Sequence, residues 1–136
     1  MLGHQLCRQW RHRHELWVTL LNPPSRYARF GLFEGDRCLS GVDAFDDSAL
    51  KAAFAKARPE AVINCVGVIK QLQEASDPYI SIAINALLPH RLHRHCLNHG
   101  ARLIHISTDC VFSGERGGYR EDDFSDARDL YGRSKY

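Results

Sequence analysis

The sequence predicts an α/β domain built on a parallel sheet, and three observations predict it. Strand-length apolar runs alternate with helix-length segments along the whole chain. The run at residues 61–66 is apolar on both faces, as parallel strands covered on both sides are. The segments between the runs carry helix signals at both ends, with Asp or Ser before the first turn and Gly or Pro after the last. Right-handed crossovers between parallel strands follow from such an alternation.

In order, Leu2, Leu6 and Trp10 recur at helical spacing and predict a helix over residues 2–15. Residues 16–21 form an apolar run of strand length, closed by Asn22-Pro23-Pro24-Ser25, because proline cannot donate to a ladder. Residues 25–37 read as loop or short helix, and residues 38–42 as a short strand. Asp46-Asp47-Ser48 caps a helix over 49–57, with acids at the positive end of its dipole, and Arg58-Pro59 stops it. After the strand at 61–66, Ser76-Asp77-Pro78 starts a helix that runs to about residue 98, where Gly100 ends it. Pro89 within that helix is expected to bend it. A strand at 102–107 leads into a polar, glycine-containing loop, and a last helix begins near Tyr131.

The chain has 136 residues, enough for one domain spanning 1–136. With 44% apolar and 25% charged residues it is not a disordered chain. No run approaches the ~20 apolar residues of a membrane span, and residues 1–5 show no apolar signal region. A net charge of +2 argues against a nucleic-acid partner, and the basic cluster at 8–14 reads as a solvated helix face. Five cysteines, at 7, 38, 65, 96 and 110, form no C-x-x-C pair. An odd set of free thiols suits a reducing compartment, so a cytoplasmic location is expected.

The chemistry concentrates at the strand ends. Tyr131-Gly132-Arg133-Ser134-Lys135 places a tyrosine and a lysine at i and i+4, on one helix face. An ammonium there favours phenolate, and a phenol so tuned can exchange a proton with an alcohol or ketone oxygen. Ser107 and Thr108 stand at the carboxyl end of one predicted strand, and Asn64-Cys65-Val66-Gly67 at the end of another, where open α/β sheets bind ligands. His95 and His99, with His93 and Cys96 nearby, have a spacing that can hold zinc. No third ligand is evident, and an exposed basic helix face explains the same residues, so no metal is expected.

Together these motifs resemble the extended short-chain dehydrogenase/reductases, and within them the dTDP-4-dehydrorhamnose reductase group. The resemblance rests on Ser107-Thr108-Asp109-x-Val111-Phe112-x-Gly114, then Tyr119, Glu121 and Asp123 after Gly117 and Gly118, then Tyr131-Gly132-Arg133-Ser134-Lys135. Residues 58–64 and Ile84-Asn85-Ala86 fit the same pattern. It implies a Rossmann-like doubly wound parallel sheet and reduction of a 4-keto nucleotide-sugar by NAD(P)H. Tyr131 would be the general acid. Lys135 would tune it and bind the nicotinamide ribose, and Thr108, with Ser107 as second choice, would hold the substrate oxygen. Asn85 would steady the site, and as a helix amide it can equally serve packing. Asn64, Cys65, Val66 and Gly67 would line the cofactor. Asp43 would meet the adenine amine, against the alternative of a carboxylate leading the next helix. Arg26 and Arg29 tilt the choice towards NADP over NAD. The partner implied is a nucleotide-sugar, with a homodimer as the assembly of full-length relatives.

The sequence departs from the family in one motif. Of the three-glycine phosphate turn only Gly3 remains, matching its last glycine. The first strand and the substrate-binding part are therefore expected to be absent, leaving a partial dinucleotide-binding domain, inactive alone. The strands at 16–21 and 61–66 would then flank a vacated central position. Two rival functions share these residues: a nucleotide-sugar epimerase or dehydratase, and a non-catalytic nucleotide-binding regulatory module.

Overall fold

The computed structural model describes residues 2–71 and 76–136. The elements are α1 (Leu2–Trp10), β1 (Val18–Leu20), a 3-10 helix (Pro24–Phe30), β2 (Cys38–Ser40), α2 (Asp47–Ala57), β3 (Ala61–Asn64), α3 (Pro78–Ser81), a π-helical segment (Ile82–Leu87), α4 (Leu88–His99), β4 (Arg102–His105), a 3-10 turn (Asp109–Val111) and α5 (Leu130–Lys135).

β1 pairs with β2 in parallel, with Val18 opposite Cys38, and β3 pairs with β4 in parallel, with Ala61 opposite Arg102. Among the described residues no ladder joins β1 to β3, so the sheet is two separate pairs. This is the separated arrangement expected of an incomplete doubly wound sheet.

The core lies between α2, α4 and one face of β3–β4. Leu50 and Phe54 of α2 pack with Leu88, Leu92 and Cys96 of α4, and Val62 and Leu103 close against them from the strands. Arg91 ties the same helices to the turn after β2, donating to the carbonyls of Ala44 and Phe45.

The strands depart from expectation in burial. Residues 61–66 are expected to be covered on both faces, but Val66 is 49% exposed, as is Ile104 on the neighbouring strand at 43%. Helices α2 and α4 cover the face of Val62 and Leu103. The strands are also shorter than expected. Asn64 bends the chain off the ladder, because its Oδ1 accepts the Val66 N–H at 3.0 Å. β4 stops at His105 rather than at residue 107.

α1 ends at Trp10, not at residue 15. The Trp10 carbonyl accepts both the Arg13 and His14 N–H groups in a closing turn, and the polar residues 11–14 offer no apolar face to bury. The ambiguous stretch 25–37 contains the 3-10 helix, which ends on Gly31 in the left-handed conformation at φ 58°. α2 begins two residues before the expected start. Asp46 is its cap, and its carboxylate accepts both the Ser48 N–H at 2.8 Å and the Ser48 hydroxyl at 2.6 Å.

The long helical stretch starts at Pro78, capped by Asp77, and ends on Gly100 at φ 65°. Its irregularity lies before the proline. Pro89 is the second residue of α4, and the preceding turn widens to π geometry, the Leu88 N–H reaching back to the Ala83 carbonyl. A proline has no N–H to return to the Asn85 carbonyl, so a widened turn at that place forfeits no helix bond. Among the described residues no helix is long and apolar enough to cross a membrane.

Candidate active site

α5 is set by its cap. Asp129 Oδ1 accepts the Gly132 N–H at 2.8 Å, and the helix starts at Leu130, one residue before Tyr131. The helix then lies directly on the turn that follows β4. A Cβ at Gly132 would overlap the Cys110 carbonyl oxygen and stand 2.6 Å from the Ala127 Cβ. Only glycine permits this approach. It brings the tyrosine helix against residues 109–111, next to Thr108.

Thr108 has extended backbone and caps the 3-10 turn, its Oγ1 accepting the Cys110 N–H at 3.2 Å and donating to Asp109 at 3.3 Å. It is half-buried and Ser107 is exposed. Tyr131 is half-buried. Lys135 donates from Nζ to the Ile106 carbonyl at 2.9 Å, and burial holds its ammonium below the usual lysine range.

The other end of α5 is held from beneath. The Ser134 hydroxyl donates to the Tyr131 carbonyl at 2.9 Å and accepts from Asn85 Nδ2 at 3.1 Å. Asn85, 2% exposed, also accepts the Val68 N–H at 2.9 Å and donates to the Val68 carbonyl at 3.0 Å. One amide thus joins the π-helical segment, the strip after β3 and the tyrosine helix. That strip passes Gly67, whose open side faces Asn85 Oδ1 and Lys135 Nζ.

Asn64 is buried, and its Nδ2 lies 3.1 Å from His105 Nδ1 across β3–β4. An amide nitrogen only donates, so His105 Nδ1 accepts here and the imidazole is neutral. Burial, reinforced by the Lys135 charge, pushes the His105 imidazole below its ordinary value of 6.5. Cys65 and Val66 are exposed at the end of β3, and Gly3 of α1 packs 3.6 Å from the Cys65 Cβ. Asp43, in the turn after β2, accepts the Phe45 N–H at 2.9 Å, while Asp46 and not Asp43 caps α2.

The structure therefore brings Gly67, Asn85 and Lys135 together, sets α5 against the turn that Thr108 caps, and places Gly3 beside Cys65. Asp43 stands apart, in its own turn. Sequence reasoning missed five participants: Val68, Ser134, His105, and Lys70 and Asp129, which meet at 2.7 Å. Ser134 lay inside the Tyr131–Lys135 motif; nothing in the sequence links Lys70 to Asp129. His95 and His99 are used structurally, His95 on Asp47 at 3.2 Å and His99 on the His95 carbonyl. Among the described residues no three His, Cys, Asp or Glu side chains converge on a metal position.

A folded-state His105 value below the unfolded one means that the unfolded chain binds the extra proton. Its stabilisation is complete above about pH 6.5 and is lost as pH falls through the lower, folded value. Urea midpoints should therefore fall between about pH 7.5 and about pH 5.5. The fall should shrink in His105→Asn, although His4, shifted the same way, remains. An unchanged acid dependence in that variant would remove His105 from the account.

The family model described as the RmlD substrate binding domain matches residues 1–136. The chain belongs to this family. Among its RmlD relatives, the dTDP-4-dehydrorhamnose reductase of Streptomyces griseus is 37% identical over 95 residues, 69% of this chain and 31% of the relative. A hypothetical dTDP-4-dehydrorhamnose reductase from Sulfolobus tokodaii superposes with a TM-score of 0.78 at 28% identity, covering 98% of this chain and 45% of that one. The dTDP-4-dehydrorhamnose reductase of Bacillus anthracis, solved in complex with NADP, gives a TM-score of 0.64 at 32% identity over 69% of this chain and 34% of its own. The RmlD-like chain thus spans about a third of the curated relative and under half of the solved ones, and its fold is the partial Rossmann-like α/β domain that the sequence predicts.

Proposed function

We propose that this chain carries the cofactor-binding and proton-transfer residues of an NAD(P)H-dependent reductase acting on a 4-keto nucleotide-sugar. The observation that carries the proposal is the seat of α5. Tyr131 and Lys135 ride on a helix whose Gly132 rests on the backbone after Thr108, so acid, lysine and substrate-holding hydroxyl share one strand end. Tyr131 donates a proton to the sugar oxygen, Thr108 holds that oxygen, and Lys135 supports the tyrosine from the next helical turn.

The residues fit a dinucleotide. Exposed Cys65 and Val66, Gly67 and the Lys135 ammonium form a continuous strip at the strand ends, with Gly3 beside it and Asn64 bracing it from below. When bound, NAD(P)H supplies the hydride. Asp43 would serve the adenine end. Arg26, held at 3.2 Å from Asn22 after β1, and Arg29 tilt the choice slightly towards NADP over NAD. Five free thiols suit work in the cytoplasm. Exposed Tyr79, Ile82 and Leu87 on one helical stretch offer a face for a second copy.

The test is loss of NADPH absorbance with a dTDP-4-keto-6-deoxysugar, using protein from the complete gene. Tyr131→Phe should lower kcat by at least about 100-fold. Full activity in that variant, or none in the wild type, would sink the proposal. The 136-residue chain alone, with a single glycine of the phosphate turn, should not saturate with micromolar NADPH in a fluorescence titration.

A further inference from the structure

α5 is gripped twice by the same strip of chain, the residues that follow β3. At its far end Ser134 is bound by Asn85, which holds both backbone groups of Val68. At its near end Asp129 is bound by Lys70, two residues beyond Val68. Tyr131 lies between the two grips.

The near grip uses a carboxylate whose two oxygens have separate tasks. Oδ1 accepts the Gly132 N–H at 2.8 Å and starts the helix; Oδ2 accepts Lys70 Nζ at 2.7 Å. The capping oxygen is therefore aimed by the ion pair. The same ammonium stands 5.8 Å from the centre of the Tyr131 ring, within reach of its electron-rich face. Lys70 thus touches both the cap of the helix and the ring it carries. An exposed ion pair of this kind adds little to global stability, so its effect falls on orientation.

We propose that Lys70 is a positioning residue for Tyr131, fixing the near end of α5 through Asp129 and steering the phenol through its ring. The proposal rests on the reductase reading above. Without Lys70 the helix keeps its far grip and its Gly132 seat, and pivots about them. The tyrosine remains present and folded but off line.

Four proteins from the complete gene test this: wild type, Lys70→Met, Lys70→Arg and Asp129→Asn. Asparagine still caps the helix but carries no charge. Lys70→Met and Asp129→Asn should each lower kcat about tenfold, the scale of a small misplacement, with KM for the nucleotide-sugar unchanged. The double variant should be no worse than either single, Lys70→Arg should recover most of the rate, and urea midpoints should not move. A second readout does not need turnover. With ring-labelled tyrosine, the NMR signal of Tyr131, assigned through Tyr131→Phe, should shift in Lys70→Met and Asp129→Asn and return in Lys70→Arg. Wild-type kcat in Lys70→Met, additive losses in the double variant, or an unmoved Tyr131 signal would overturn the role of Lys70. A wild type without reductase activity but with the expected NMR shifts would overturn the substrate reading alone.

Discussion

Gly132→Ala is expected to destabilise the protein by about 3 kcal/mol, at the upper end of what overpacking costs, and to abolish turnover in protein from the complete gene. The added methyl group has nowhere to go. It would meet the Cys110 carbonyl, which is backbone, and the Ala127 Cβ, which is a side chain with no rotamers. Relief requires α5 to lift away from the turn after Thr108, and that separates the phenol from the hydroxyl proposed to share its substrate oxygen. Urea unfolding reads the first effect, and exchange of α5 amides reads its location. A variant as stable and as active as wild type would mean that the helix does not rest on that carbonyl.

The second large effect is expected at Asn85. Removing its amide by Asn85→Ala leaves the Val68 N–H and carbonyl without their partner in a buried position. Each orphaned group costs about 1–3 kcal/mol, so a loss of about 3–5 kcal/mol is expected, a large part of the ~5–15 kcal/mol of a typical domain. Asn85→Asp should be no better. It keeps an acceptor for Val68 but turns an oxygen towards the Val68 carbonyl and brings a charge into the interior. Ser134→Ala, which removes the bond to the Tyr131 carbonyl and the one from Asn85 but leaves both Val68 backbone groups paired, should cost only about 1–2 kcal/mol. If denaturant unfolding gave Asn85→Ala a loss no greater than that of Ser134→Ala, the amide would not be the joint described above.

What could be read from the residues, and what could not, divides along local and long-range lines. The helix over 78–99 was legible because Asp77, Pro78 and Gly100 are local signals, each acting within a turn of its own position. The strands were legible as existing, but their ends were not. Asn64 leaves the ladder because its own side chain binds Val66, and an asparagine inside an apolar run does not announce that choice. The π turn at 82–87 was hidden for a different reason. It holds Asn85 towards Val68 and Ser134, partners distant in sequence, and the helical periodicity alone reads straight through it. In the site, Tyr131, Lys135 and Thr108 were visible as residue types at strand and helix ends. Gly132 was visible too, but its reason, a backbone it touches elsewhere, was not. Lys70 and Asp129 form a pair that only folding creates.

The split of the sheet bears on how the molecule comes apart. Of residues 2–46 only Cys7 and Phe33 are buried apolar side chains, whereas Leu50, Ala53, Phe54, Val68, Ile84, Leu88, Leu92 and Cys96 all lie beyond them. The molecule is a thin leaf, β1–β2 with α1, beside a thick leaf, β3–β4 with its helices, and no ladder stitches one to the other among the described residues. Units joined by packing and by the Arg91 bonds to the turn after β2, with no ladder between them, are expected to open separately, the thinner at the smaller free energy. Gly3, Arg26 and Arg29 belong to the thin leaf; Tyr131, Lys135 and Thr108 belong to the thick one. On the proposed reductase reading, grip on the far end of a dinucleotide and command of the proton would reside in parts that loosen independently, with the proton chemistry on the part expected to loosen last.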